Sequence, residues 1–73
     1  MWIVVCFDRL NDVQSNVAAL HTQLELMNFI NTALTTYKNA KIVMIPKDSD
    51  QINKKMFPVV TSDKCDFYVQ WFD

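Results

Sequence analysis

The chain contains no glycine at all, and only one arginine, one histidine, two prolines and two cysteines among its 73 residues. Each shortage removes a class of protein. Without glycine there is no phosphate-cradling loop, because such loops bring backbone N–H groups closer to the ligand than a Cβ allows. Cys6 and Cys65 are too few for a disulfide framework, and Cys6 lies in an apolar run where a buried reduced thiol is ordinary. Those two thiols and His21, with no Cys-x-x-Cys spacing, do not make a zinc site. No metal and no cofactor are therefore expected. No apolar run approaches the roughly 18 residues of a membrane span, and no basic leader with a long apolar core opens the chain. The expected location is the reducing cytoplasm, away from membranes. With Met first and nothing resembling a tag, the chain reads as a complete small reading frame.

Charge is also scarce. Seven basic and eight acidic residues leave a net charge of −1. A nucleic-acid binder carries a basic stripe, whereas the only adjacent basic pair here is Lys54-Lys55, and eight carboxylates are too few to mimic a nucleic acid. Nucleic acid is not an expected partner. The chain is 51% hydrophobic and 21% charged, the balance of a globular protein. Residues 1–73 are expected to form a single compact domain, near the lower size limit for one core. Six Lys, six Asn and five Ile beside a single Arg form the codon bias of an AT-rich genome, such as that of many phages.

Trp2-Ile3-Val4-Val5-Cys6-Phe7 is a continuous, β-branched apolar run, which suits a strand in the middle of a sheet. Asn11 and Gln14 make a capping-box pattern. Val13, Val17, Leu20, Leu24, Met27, Ile30, Leu34 and Tyr37 recur at spacings of three or four, the buried stripe of an amphipathic helix. The periodicity predicts one helix from Asp12 to Lys38, or a helical hairpin if it breaks near Asn28 to Asn31. Asn39 is placed as a left-handed C-cap. Lys41 to Ile45 reads as a strand parallel to the first, ended by Pro46. Ser49 to Met56 reads as a short helix, and Val59–Thr61 with Asp66–Phe72 as a hairpin. The expected fold is a small α/β (α+β) sandwich of order β-α-β-(α)-β-β. In it a three- to four-stranded sheet carries one long helix on one face.

Such a helix would span roughly 40 Å beside a first strand of about 20 Å. Its second apolar set, Leu26, Phe29 and Ala33, would then lie on an overhang and require another surface. Tyr37, and Tyr68 and Phe72 on the outer face of the last strand, would add aromatic anchors. Leu26, Phe29, Ala33, Tyr37, Tyr68 and Phe72 are thus the expected protein interface. They would serve a homodimer and a host protein partner. The expected function is non-enzymatic: a phage-encoded accessory protein that inhibits or modulates a host protein by steric contact. An antitoxin or assembly subunit would use the same surface.

The chemical alternative rests on Asp8 and Asp48, each just past the end of an expected parallel strand, where ligands bind in open α/β sheets. Two carboxylates there could hold Mg²⁺ for nuclease or phosphotransfer chemistry. Val4-Val5-Cys6-Phe7-Asp8 resembles the opening of a family of small CRISPR nucleases, ferredoxin-like dimers in which an Asp follows the first strand. The arginines and the glycine-containing turn of that family are missing. His21, with Glu25 one turn on, reads as the polar face of the helix.

Overall fold

In the computed structural model, residues 1–52 and 54–73 are described, and among them five strands form one antiparallel sheet. The strands are β1 (Trp2–Asp8), β2 (Val13–Leu20), β3 (Lys41–Ile42), β4 (Met56–Thr61) and β5 (Cys65–Trp71). Their spatial order is β2-β1-β5-β4-β3. The one α-helix, α1 (Gln23–Thr36), carries the chain from edge strand β2 across one face to the opposite edge at β3. No helix among the described residues is long and apolar enough to cross a membrane.

The fold is mixed α and β, as expected, but the parallel β-α-β unit is not formed. Val13–Leu20 makes a strand where the periodicity predicts a helix. Two local causes favour the strand. Asp8 accepts hydrogen bonds from the backbone N–H groups of Leu10 (2.9 Å) and Asn11 (3.2 Å), and Asp12 adopts φ 54°, so the chain reverses directly after β1. The real capping box is Thr22-x-x-Glu25, where the Thr22 hydroxyl accepts from the Glu25 N–H at 3.1 Å and the two side chains meet at 3.4 Å. The helix therefore starts eleven residues later than Asn11-x-x-Gln14 implies, and β2 completes the second side of β1.

With 14 residues, α1 is about 21 Å long, which matches the strands beneath it. No overhang exists, and the helix continues unbroken through Asn28 to Asn31. Leu26 and Ile30 are fully buried and Ala33 nearly so, all in one cluster with Trp2, Val4, Val59, Phe67 and Val69. Phe29 packs against that cluster, its ring 5.5 Å from Phe67 and nearly perpendicular to it. The residues expected on an outward face are thus the core face. Leu24, expected in the core stripe, is 69% exposed. Leu26 and Ala33 are not available to a partner, and Phe29 is largely enclosed.

The remaining elements are close to expectation but shorter or redirected. Asn39 takes φ 56°, left-handed as expected, but it is not the helix C-cap: Tyr37, in extended conformation, ends α1 and donates its N–H to the Ala33 carbonyl. Strand β3 begins at Lys41 but covers only two residues and runs antiparallel to β4. The short helix expected over Ser49 to Met56 is a 3-10 turn over Asp48–Ile52. The part of that expectation falling on residue 53 lies outside the described residues. The β4–β5 hairpin forms as expected, with Val60 opposite Phe67 and Thr61 opposite Asp66. Strand β5 is the central strand of the sheet, not an edge.

Burial of a side chain such as Leu26 or Ile30 contributes about 1.5–3 kcal/mol, and truncation leaves a cavity besides. Ile30→Ala is expected to cost about 2–5 kcal/mol in urea unfolding, whereas Leu24→Ala should stay within about 0.5 kcal/mol. Thr22→Ala, which removes the helix cap, should cost about 1 kcal/mol.

Candidate binding surface

Alternation along each strand sends every second side chain to the face that α1 does not cover. Trp2, Val4 and Cys6 of β1 lie on the helix side with the core, so Ile3, Val5 and Phe7 point to the open side. Strand β5 divides the same way, with Cys65, Phe67, Val69 and Trp71 inward and Asp66, Tyr68 and Gln70 outward. The register sets Val5 between Asn16 of β2 and Tyr68 of β5. Those neighbours close over it, and Val5 is nearly buried although no helix covers it.

At the Trp2 end of this open face is a shallow groove of about 400 Å³. Ile3, Val5, Met56 and Phe72 supply its apolar floor and wall, and Gln14, Asn16 and Gln70 its polar rim. Phe72 is 44% exposed and Met56 is 41% exposed. Backbone pairing of Met1 with Phe72 (2.8 Å) extends the β1–β5 ladder and fixes the aromatic ring at the groove mouth. Clustered exposed apolar side chains of this kind are a feature of interaction sites, unlike single ones scattered over a surface.

Of the six expected interface residues, Tyr68 and Phe72 lie on this face, Tyr68 half-buried. Tyr37 does not join them. It ends α1 on the helix side, with its ring 5.0 Å from that of Phe67 and 41% of the residue exposed. Ile3 and Val5 are not among the expected interface residues, because a continuous apolar run does not show which of its faces stays open, and Met56 falls at the end of an expected short helix.

The opposite end of the sheet is polar, with a shallow pocket of about 420 Å³ between Arg9, Asn39, Lys41 and the β4–β5 turn. Arg9, the only arginine, donates to Asp66 (2.7 Å), to the Thr61 hydroxyl (3.3 Å), and to the backbone carbonyls of Ser62 and Asp63. Asn39 donates to the Asp63 carboxylate at 2.9 Å. The guanidinium is thereby spent on tying the loop after β1 to the β4–β5 turn. Nothing in the sequence but its rarity marked Arg9 out.

The expected chemical groups do not converge. Asp8 stands at the Cys65 end of β1, with its two oxygens engaged by Leu10 and Asn11. Asp48 begins a turn at the other end of the sheet, next to Pro46, whose carbonyl accepts from the Gln23 side chain at 2.9 Å. They sit on separate elements, Asp8 at the end of β1 and Asp48 at the start of the 3-10 turn. Among the described residues no three of His, Cys, Asp and Glu gather as a metal site would require. His21 lies in the connection before α1, not on its polar face, while Glu25 serves the helix cap. Burial, and next the neighbouring Cys65, push the Cys6 thiol up, so it stays protonated and a poor nucleophile at neutral pH. No protein-family model matches the chain, and neither a curated protein nor a solved structure matches it significantly.

Hydrogen bonds from Asn11, through its side chain first and then its backbone, hold the Asp8 carboxyl below its usual value. A carboxylate with a depressed folded-state pKa contributes stability above its unfolded-state pKa, and that contribution is lost as pH falls through the folded-state value. Asp8→Asn is therefore expected to lower Tm at neutral pH. The gap to the native sequence should close on acidification, as seen in thermal melts across a pH series; parallel curves would contradict this role for Asp8.

Proposed function

We propose that this protein is a non-enzymatic protein-binding module that docks a larger partner on the helix-free face of its sheet. The observation that carries the reading is the apolar groove of Ile3, Val5, Met56 and Phe72 on the face that α1 does not cover. The mechanism is steric. Phe72 and Met56 enter an apolar recess of the partner, the Gln14 amide and the Gln70 side-chain oxygen, whose own Nε2 donates to the Lys54 carbonyl at 2.7 Å, satisfy polar groups at the rim, and the occupied surface is closed to other ligands. Aromatic anchors ringed by polar groups are where binding energy concentrates in protein interfaces. In this reading the protein is a small accessory product, phage-encoded and cytoplasmic, that modulates a host protein. The helix takes no part, since Leu26, Ile30 and Ala33 are committed to the core and Leu24 stands alone on its outer side.

The test is affinity capture from host lysate with the immobilised native sequence, Phe72→Asp and Leu24→Asp. Phe72→Asp should weaken the retained partner by about 2 kcal/mol, or roughly 30-fold. Leu24→Asp, on the outer side of α1, should retain it. No specifically retained protein, or one released by Leu24→Asp and not by Phe72→Asp, would refute the reading.

A further inference from the structure

Strand β2 is an edge with eight residues, Val-Gln-Ser-Asn-Val-Ala-Ala-Leu, of which all but Ala18 and Leu20 are exposed. It contains no Lys, Arg, Asp, Glu or Pro. Exposed edges in proteins that stay single are ordinarily blunted by such residues or by being very short. The other edge follows that rule: β3 has two residues and begins with Lys41. On β2 the only such device is a bulge at Val17, seen as the register step between Val4 opposite Ala18 and Val5 opposite Asn16. Residues Val13 to Asn16 remain a regular arm paired with β1 on one side. Among the described residues, no backbone group of this arm bonds on its outer side.

We propose that β2 pairs with the β2 of a second copy of this chain, antiparallel about a two-fold axis at Ser15. Two five-stranded sheets then become one. The inference rests on the binding-module reading, which it deepens by identifying how the docking platform is enlarged.

Three features favour a second copy over a foreign strand. An antiparallel ladder requires that opposed residues turn their backbone groups outward together and share a face. A two-fold axis centred on a residue meets that requirement. With the axis at Ser15, each Gln14 faces the Asn16 of the second copy, and both project to the helix-free side where they rim the groove. Each amide offers a donor and an acceptor, so two reciprocal amide pairs form beside a serine–serine pair. Self-pairing sets every residue against its own segment, so a charged strand would repel its copy. This strand has no charge to repel, and the nearest, Asp12, lies beyond the paired arm. The axis also places the two grooves side by side on one continuous face.

Sedimentation equilibrium on the whole chain tests the pairing. The native sequence should sediment at twice its 8.5 kDa mass. Gln14→Lys/Asn16→Lys brings like charges together across the axis and should weaken the dimer at least roughly tenfold, with an unchanged circular dichroism spectrum. Gln14→Lys/Asn16→Glu alters the same exposed positions but opposes unlike charges, and should remain dimeric. A strictly monomeric native chain overturns the proposal. So does a dimer indifferent to both double variants, or a monomer whose capture of a foreign protein the double-lysine variant abolishes. A monomer whose capture still depends on Phe72 would overturn the pairing alone. A charge-sensitive dimer that captures nothing would leave the pairing standing and remove the binding-module reading.

Discussion

One α-helix can cover only one face of a sheet, and the described residues form one α-helix for a five-stranded sheet. Everything else in the structure follows from how that single cover is used. Leu26, Ile30 and Ala33 close the core over Val4, Phe67 and Val69, and the burial of those side chains is the main favourable term available to so small a protein. The uncovered face must be made tolerable in water by other means. Val5 is sheltered by its cross-strand neighbours Asn16 and Tyr68, and polar Gln14, Gln70 and Asp66 share the surface with Ile3, Met56 and Phe72. The result is a mixed face with one apolar groove.

The lack of glycine shapes the turns. Left-handed backbone falls on Asp12, Asn39 and Lys54. Asp and Asn tolerate that conformation through their short polar side chains. The first two turns are then reinforced from outside: Asp8 holds the residues before Asp12, and Asn39 bonds Asp63. Arg9 adds the largest brace, joining the loop after β1 to the β4–β5 turn. Its partner Asp66 is well shielded, which makes this pair worth more than an exposed one such as Lys54 with Asp73.

Local signals foretold some of this structure correctly. The β-branched run of β1, the left-handed Asn39, the start of β3 and the final hairpin were all legible, because each depends on residues close in sequence. The extent of the helix was not. Val13, Val17 and Leu20 keep helical spacing by coincidence, and the pairing demand of β1 overrides it through a turn built by Asp8. Thr22 and Glu25 carried the true start signal. With the residues before Gln23 removed from the helix, their stripe no longer decides its inner face, which is the one bearing Leu26, Ile30 and Ala33 while Leu24 faces solvent. Of the expected interface, Tyr68 and Phe72 stand on the open face because strand alternation is robust. Those assigned by helix geometry do not.

The most direct test of one-sided cover is solvent relaxation of side-chain protons by an inert paramagnetic chelate, measured by NMR on the native sequence. The account predicts strong broadening at Phe72, Met56 and Ile3 and none at Leu26, Ile30 or Val69. Equal protection of Ile3 and Leu26, or broadening at Ile30, would show that the helix does not lie where this description places it.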